Sequence, residues 1–588
     1  MTCTKFKLTS VAALVFAATN ANAALYKVVE VTPSFADEPE ISEIFGVAIQ
    51  PGKAVNANAQ LPALPDDELP LGCFDSNATN CADSSFKLAG ETRDTVEGIS
   101  YREEVPFAMD AAFQYLQEFD DFENYCNREL RYSTCEAWAT DHWNAWSKER
   151  TDLTHVNAKA FVEGGDTFTS RNTVINSLYA QSATEVEPLG VKSEGGIRNT
   201  ALHTDSVAPV GSSETRAWRA IKASNGTVYN VGSVSEDRGT TDTSKPDKVF
   251  SSKAAIWDGT TTKLIDWDNN SAFPAKTGDF FAQGSMRSIA ESNSVFYGVG
   301  YNTTDGSGDL QDMDAAVFIS KSLDLSDSSN TWVTKSISGA AVNSNSSDDY
   351  KYSNSVASDI NNNLFAVGYS KRNGYVPENG SAGNKIFVVT DASASTPTAT
   401  YLSGGIFFGG SSGEAKAVNN FNEFVGQIDA ETTREVDGSE RRHRGFIYPY
   451  NVDSSKDERR VDIFNGQAWW LDDLTNDGNV SGNNNQFRII DATDINDAGV
   501  ISATAIKCTV GGKVQAYDTT SHNSYCGGAA SNAVEEVVAV KLVPIAGATK
   551  DDIQTRSADS EKVDRQGGSL GWFTLTVFAL LGFRRKFK

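Results

Sequence analysis

Nothing in this chain of 588 residues assembles a readable catalytic motif. Histidine is scarce: His142, His155, His203, His443 and His522 are scattered, and no HExxH pair exists to hold a catalytic zinc. Positive charge is short too, with 51 Lys and Arg against 77 Asp and Glu and a net charge of −26. A surface that acidic repels a polyanion, which excludes nucleic acid as a partner. Proline numbers 15 against 47 glycines, and Asn, Ser, Thr and Asp fill the gaps between short apolar runs. Such frequent turn chemistry excludes a helical bundle and points to a mainly β fold. The apolar runs near the two ends, 11–18 and 570–583, are shorter than the ~20 residues that span a bilayer.

Both ends read as addresses. Lys5 and Lys7, the apolar core 11–18 and the small residues Ala21-Asn22-Ala23 form a signal peptide over 1–23, to be cut by signal peptidase. At the other end a polar linker, 549–566, precedes Gly567-Gly568-Ser569, the apolar run and the basic end Arg584-Arg585-Lys586-Phe587-Lys588. The basic end stays cytoplasmic by the positive-inside bias. A plain C-terminal anchor is one reading of 567–588. The order of features resembles the GlyGly-CTERM sorting signal, and the resemblance implies cleavage by a rhomboid-type protease, often for substrates of type II secretion. The expected location is therefore the cell surface or medium, with a transient C-terminal anchor in the inner membrane.

Between the addresses, over 24–548, the chain repeats itself. Ala223, Ala290, Ala357, Ala417 and Ala492 are spaced 67, 67, 60 and 75 residues apart. Each leads through a polar turn to a strand closing near Gly232, Gly300, Gly368 or Gly426, with Ser502 where the last copy should have glycine. Further strands follow at 254–258, 315–320, 386–391 and 445–450, and 468–474 has the same character. Over 215–505 the chain resembles the extracellular repeat family named for a His-Ala-Phe signature, with His443-Arg444-Gly445-Phe446 as the nearest form here. The whole pattern also resembles an exported, uncharacterised family of marine gammaproteobacteria, which implies no activity. Units of this length match propeller blades. Five are legible, and 158–215 together with the termini can supply one or two more. The strand 535–545 should join 26–31 in one blade and close the ring; an open β-solenoid is the competing architecture.

Residues 106–150 break the pattern with aromatics at helical spacing: Phe113, Leu116, Phe119, Phe122, Trp138, Trp143 and Trp146. They read as a small helical insertion packed on itself, against the sharper reading of an aromatic platform for sugars. After removal of Cys3 with the leader, six cysteines fall into near pairs, Cys73 with Cys81, Cys126 with Cys135 and Cys508 with Cys526. Short loops are the easiest to close, so three local disulfides are expected in place of free thiols, the second clipping the insertion. The stretch 51–95 reads as a long loop held by the first.

Candidate chemistry is thin. Gly409-Gly410-Ser411-Ser412-Gly413 matches a nucleophile elbow, but it leads into another repeat strand and reads as a glycine-rich turn. Asp494 and Asn496, with Asp497, and Asp305 with Asp309 resemble the start of a calcium loop; they also suit turns that bond their own backbone. Arg441-Arg442-His443-Arg444 reads as a solvated basic loop. No other cofactor is indicated. The functional expectation is an exported, non-enzymatic binding protein with an unknown extracellular ligand, a glycan or envelope component. The alternative is a secreted hydrolase acting on an extracellular polymer.

Overall fold

The computed structural model describes residues 24–556 apart from 34–42, 58–67, 94–118, 128–133, 152–157, 166–172, 183, 195–196, 203–213, 239–249, 278–279, 305–312, 341–354, 372–382, 431–441, 451–456, 479–482 and 516–531. The repeated glycines explain the local geometry. Gly232, Gly300, Gly368 and Gly426 each stand on a second strand, opposite the residue at which the first strand bulges. A Cβ on Gly300 would lie 1.9 Å from the Ser285 carbonyl oxygen, and one on Gly232 equally close to that of Arg216. In these blades the bulge pushes a carbonyl into the space a side chain needs, which favours glycine. Gly90 and Gly190 hold the same place in two units the sequence left illegible. In the last unit the position belongs to Ala503, paired with Ala492, and not to Ser502, which pairs with Asp494.

The repeat alanines, by contrast, are not equivalent. Ala357 sits at the bulge, Ala417 beyond it, Ala290 opposite Tyr297 and Ala223 in the following turn. Alanine is tolerated wherever strands crowd together, so it marks no single register. Gly300→Ala should destabilise the protein by about 1–3 kcal/mol or more, since backbone cannot move aside as a side chain can. Gly226→Ala enters open space at a turn with φ +85° and should cost about 1 kcal/mol. Equal melting temperatures for the two variants would contradict this account.

Seven inner strands follow one another around an axis: Glu43–Ile49, Val174–Ala180, Glu214–Lys222, Gly284–Ser292, Ser355–Ile360, Gly413–Val418 and Phe487–Ile495. Each begins a radial antiparallel sheet, here blades one to seven. Among the described residues blades three to six have four strands and blade two has three, while blades seven and one share an eight-stranded sheet, joined where Glu43 pairs in parallel with Val537. Alternate residues of each strand face opposite neighbours. In blade five, Phe387 and Val389 pack toward blade four, while Ile386 and Val388 pack toward blade six. One apolar layer fills each gap, and the seventh lies between blade seven and blade one, so the ring is closed.

Closure uses both ends of the chain. Ala533–Pro544 pairs on one side with Ile501–Val510 and on the other with Tyr26–Glu30, Tyr26 opposite Pro544 and Glu30 opposite Val540. The expected pairing of 26–31 with 535–545 is therefore present, and the solenoid is excluded. Asparagine side chains latch the turns between blades. Asn361 Nδ2 donates to the Asn419 carbonyl at 2.8 Å, Asn419 to that of Asn496 at 3.2 Å, and Asn496 to that of Gln50 at 3.0 Å.

Residues 468–474 are not a third strand of their class. Trp469–Trp470 forms the outer strand of blade six, and Leu471–Leu474 is a helical turn. Within 51–95, Leu88–Arg93 is a strand of blade one, beyond the loop that the Cys73–Cys81 disulfide holds. The insertion interrupts the same blade with helices Phe119–Tyr125 and Cys135–Thr151, joined by the Cys126–Cys135 disulfide. Phe122 packs on Trp138 and Trp143, with ring centroids 6.3 Å apart in each case, so these aromatics form the core of a helical hairpin. Cys508 is disulfide-bonded; Cys526, like Phe113, Leu116 and the segments 1–23 and 557–588, lies outside the described residues.

Candidate functional site

The bulges that favour glycine also build the site. A bulge leaves one residue out of the ladder, and here it comes from every inner strand: Val47, Asn176, Trp218, Arg287, Ser358, Lys416 and Thr493. All seven line one pocket of about 250 Å³ on the ring axis. Ile175, Val356 and Glu414, which precede their bulges, also line it, so the pocket lies toward the ends at which the inner strands begin.

Arg219, one residue beyond its bulge, crosses the axis to meet Asp359 at 3.4 Å and Asp494 at 3.8 Å. Burial opposes its charge, and these two carboxylates outweigh that and hold its pKa above the ordinary value. Asp359 also accepts from Val418 N, and Asp494 from Ile49 N, each the next blade's backbone. Desolvation pushes Asp494 up to about 6, despite Arg219 beside it. Lys416 Nζ lies 2.5 Å from Asp491. Burial works to lower its pKa, but Asp491 and Glu414 prevail and raise it. Arg216 Nη2 donates to Asn176 Oδ1 at 3.4 Å, and its guanidinium carbon lies 4.3 Å from the Trp218 ring centroid. Arg287 lies 3.7 Å from the same ring and 5.5 Å from that of Tyr301.

The sequence's own candidates fall elsewhere or are already engaged. Asp494 lies beside the pocket, but its oxygens serve backbone N–H groups and Arg219. Asn496 Oδ1 accepts from Val500 N, and Asp497 accepts both Asn420 nitrogens, so this stretch is the turn chemistry expected as the alternative to calcium. Asp305 and Asp309 lie outside the described residues. Among the described residues no cluster of three or more His, Cys, Asp or Glu forms a metal site. Ser411 donates its hydroxyl to Phe408 O at 2.7 Å in a turn before a strand, which is not an elbow. The basic cluster is not a solvated loop either. Arg442 is buried, His443 pairs with Asp429 at 3.2 Å, and Arg444 lies 3.9 Å from Asp472.

The pocket residues escaped the sequence because they share a backbone position and no chemistry. Pairing each inner strand back from its hairpin glycine is the signal that finds them.

Two solved structures resemble the chain weakly. One is a glycosyl hydrolase from Bacteroides ovatus, 10% identical, covering 43% of this chain and 76% of its own, with a TM-score of 0.22. The other belongs to the GH130 mannoside phosphorylases, a family containing glycoside hydrolases that target β-1,2 mannosidic linkages in Candida mannan. It is 7% identical, covering 62% and 96%, with a TM-score of 0.24. Scores so low carry no argument about activity. No curated protein matches the sequence. Residues 233–586, more than half of the chain, match the family described as "Protein of unknown function (DUF3466)", and the chain belongs to that family.

Proposed function

We propose that this is an exported β-propeller that binds an extracellular ligand, a glycan or envelope component, at the axial pocket and does not turn it over. The observation that carries this reading is the state of the pocket carboxylates. A hydrolase needs an acid and a base free to exchange protons with substrate. Around the pocket Asp359 and Asp494 hold Arg219 and cap neighbouring strands, and Asp491 holds Lys416; Glu414, the one carboxylate that lines the pocket, has no second lining carboxylate to work with. Neither a histidine nor a serine–histidine pair lines the pocket.

Export rests on the two ends of the sequence. Leu25, two residues past the expected signal-peptide cut, is already bonded into the ring through Leu474 O, so cleavage after Ala23 leaves the fold whole. Disulfides suit an oxidising compartment. The tail from Gly567 fits removal by a rhomboid-type sorting protease during export, with type II secretion as the onward route.

The test is a glycan-array screen of the processed protein, run beside a panel of polysaccharide substrates. Saturable binding with no released product is the expected result. Product release that disappears in Glu414→Gln would overturn the binding reading in favour of a secreted hydrolase.

A further inference from the structure

Three cationic side chains, Arg219, Arg287 and Lys416, line the axial pocket, a fourth, Arg216, packs on the Trp218 ring, and all but Arg287 have acceptors. Arg219 has Asp359 and Asp494, Lys416 has Asp491, and Arg216 has Asn176. Arg287 differs. It is 8% exposed, its described contacts are the faces of Trp218 and Tyr301, and its Nε is buried with no hydrogen-bond partner. A guanidinium carries five donors and no acceptor, and it stays ionised at any ordinary pH. Stacking on a ring satisfies its face and leaves the fork of N–H groups at its edge unused. Burying such a group without an acceptor is costly, so its retention on a pocket wall points to an acceptor that arrives from outside.

Two neighbours are in the same condition. Trp218 Nε1 and Ser358 Oγ are buried atoms without a hydrogen-bond partner. Trp218, Arg287 and Ser358 are the bulge residues of blades three, four and five, three consecutive positions on the pocket wall. An indole N–H, a guanidinium fork and a hydroxyl together form a donor-rich wall with one net positive charge. We propose that this wall receives a terminal oxyanion group of the ligand, a carboxylate, sulfate or phosphoryl group, with Arg287 as its principal partner. Guanidinium geometry matches such groups through two parallel hydrogen bonds. On a protein of net charge −26 the long-range field opposes an anion, so affinity must come from these short-range bonds. The inference rests on the axial pocket being the binding site.

Calorimetric titration of the processed protein with glucuronate, N-acetylglucosamine 6-sulfate and glucose 6-phosphate tests it and separates the three oxyanions. Glucose serves as the uncharged control. Saturable binding of at least one charged probe and none of glucose is expected. Arg287→Met should weaken that binding by about tenfold or more, and Arg287→Lys should restore only part of it. Arg287→Met should melt no lower than the wild type, because it removes a buried charge without an acceptor. A lower melting temperature would assign Arg287 a structural role and overturn the proposal. So would the failure of all three probes, or equal binding by Arg287→Met.

A second variant, Val47→Trp, fills the pocket from the opposite wall. A glycan from the array that Val47→Trp excludes but Arg287→Met still binds keeps the pocket as the site and overturns the oxyanion. A glycan that both variants bind overturns the pocket itself.

Discussion

A chain that begins at Thr32, and so lacks Tyr26–Glu30, should lose the whole ring and not one edge of it. Leu25, Tyr26 and Val28 are buried in the layer between blades six and seven. Tyr26 packs edge-on against Phe74, with centroids 5.3 Å apart. The Asn484 side chain grips the strand on both sides, accepting from Val28 N at 3.0 Å and donating to Tyr26 O at 2.9 Å. Burial of three such side chains is worth roughly 5–8 kcal/mol, and the hydrogen bonds lost with the strand add to that. Domains are stable by about 5–15 kcal/mol in all, so the truncation removes most of the margin. It also bares the edge of Ala533–Pro544, a long apolar strand open to pairing with another molecule.

In a linear stack the same loss would fray one terminal repeat, because each unit there answers only to its neighbours. In a ring every interface depends on closure. Urea denaturation followed by circular dichroism distinguishes the cases. The truncated chain should show no cooperative transition; a transition within about 1 kcal/mol of the full chain would contradict closure by the termini.

How much of this was legible follows from what each residue has to do. The hairpin glycines were readable because at Gly232, Gly300 and Gly426 a Cβ would lie 1.9 Å from a carbonyl oxygen, and at Gly368 2.2 Å. The closing strands were readable because 26–31 and 535–545 are apolar strands with no local partner. Blades one and two were not. Blade one is split by residues 94–157, and among the described residues each shows three strands. The axial residues were unreadable for a different reason. Val47, Asn176, Trp218, Arg287, Ser358, Lys416 and Thr493 are united only by being left out of a ladder, which register reveals and composition does not. Asp494 drew attention as an oxygen ligand, yet its oxygens answer Ile49 N, Ile495 N and Arg219.

The second large effect concerns Asp472, which is buried at the junction of blades six and seven. Its carboxylate lies 3.1 Å from Arg488, 3.6 Å from Arg556 and 3.9 Å from Arg444, and accepts from Ile489 N at 3.0 Å. Burial alone would raise its pKa; the three guanidiniums outweigh burial and hold it below the ordinary carboxylate range. Asp472→Ala strands three cations around a cavity and should cost about 3–5 kcal/mol. Asp472→Asn removes the charge with little change of shape. Because the folded pKa lies below the unfolded one, the carboxylate's contribution is full above the unfolded value and is lost as pH falls through the folded value. The stability gap between wild type and Asp472→Asn should therefore be wide near neutrality and narrow on acidification.

Asp473 and Asp494 act in the opposite sense. Burial raises each to about 6, so their contribution is complete below the ordinary value of 3.8 and is lost as pH rises through about 6. Comparing wild type with Asp472→Asn at each pH cancels Asp494; Asp473, which burial raises first and the Asp472 charge raises further, keeps only part of its shift in the variant. Urea midpoints for the pair at neutral and acid pH check the sign, and a gap that widens on acidification would contradict it.

Hydrogen exchange on the intact folded chain tests closure of the ring most directly. Val28 and Glu30 lie in the ladder with Ala533–Pro544, opposite Leu542 and Val540, and Val31 N donates to Ala539 O at 2.9 Å. If the chain ends share one blade, amides in this segment should be protected as strongly as those of Ile501–Val510, and should open together with them in denaturant. Exchange at the rate of an unpaired terminus, while blades three to six remain protected, would mean that the ring is not closed in this way.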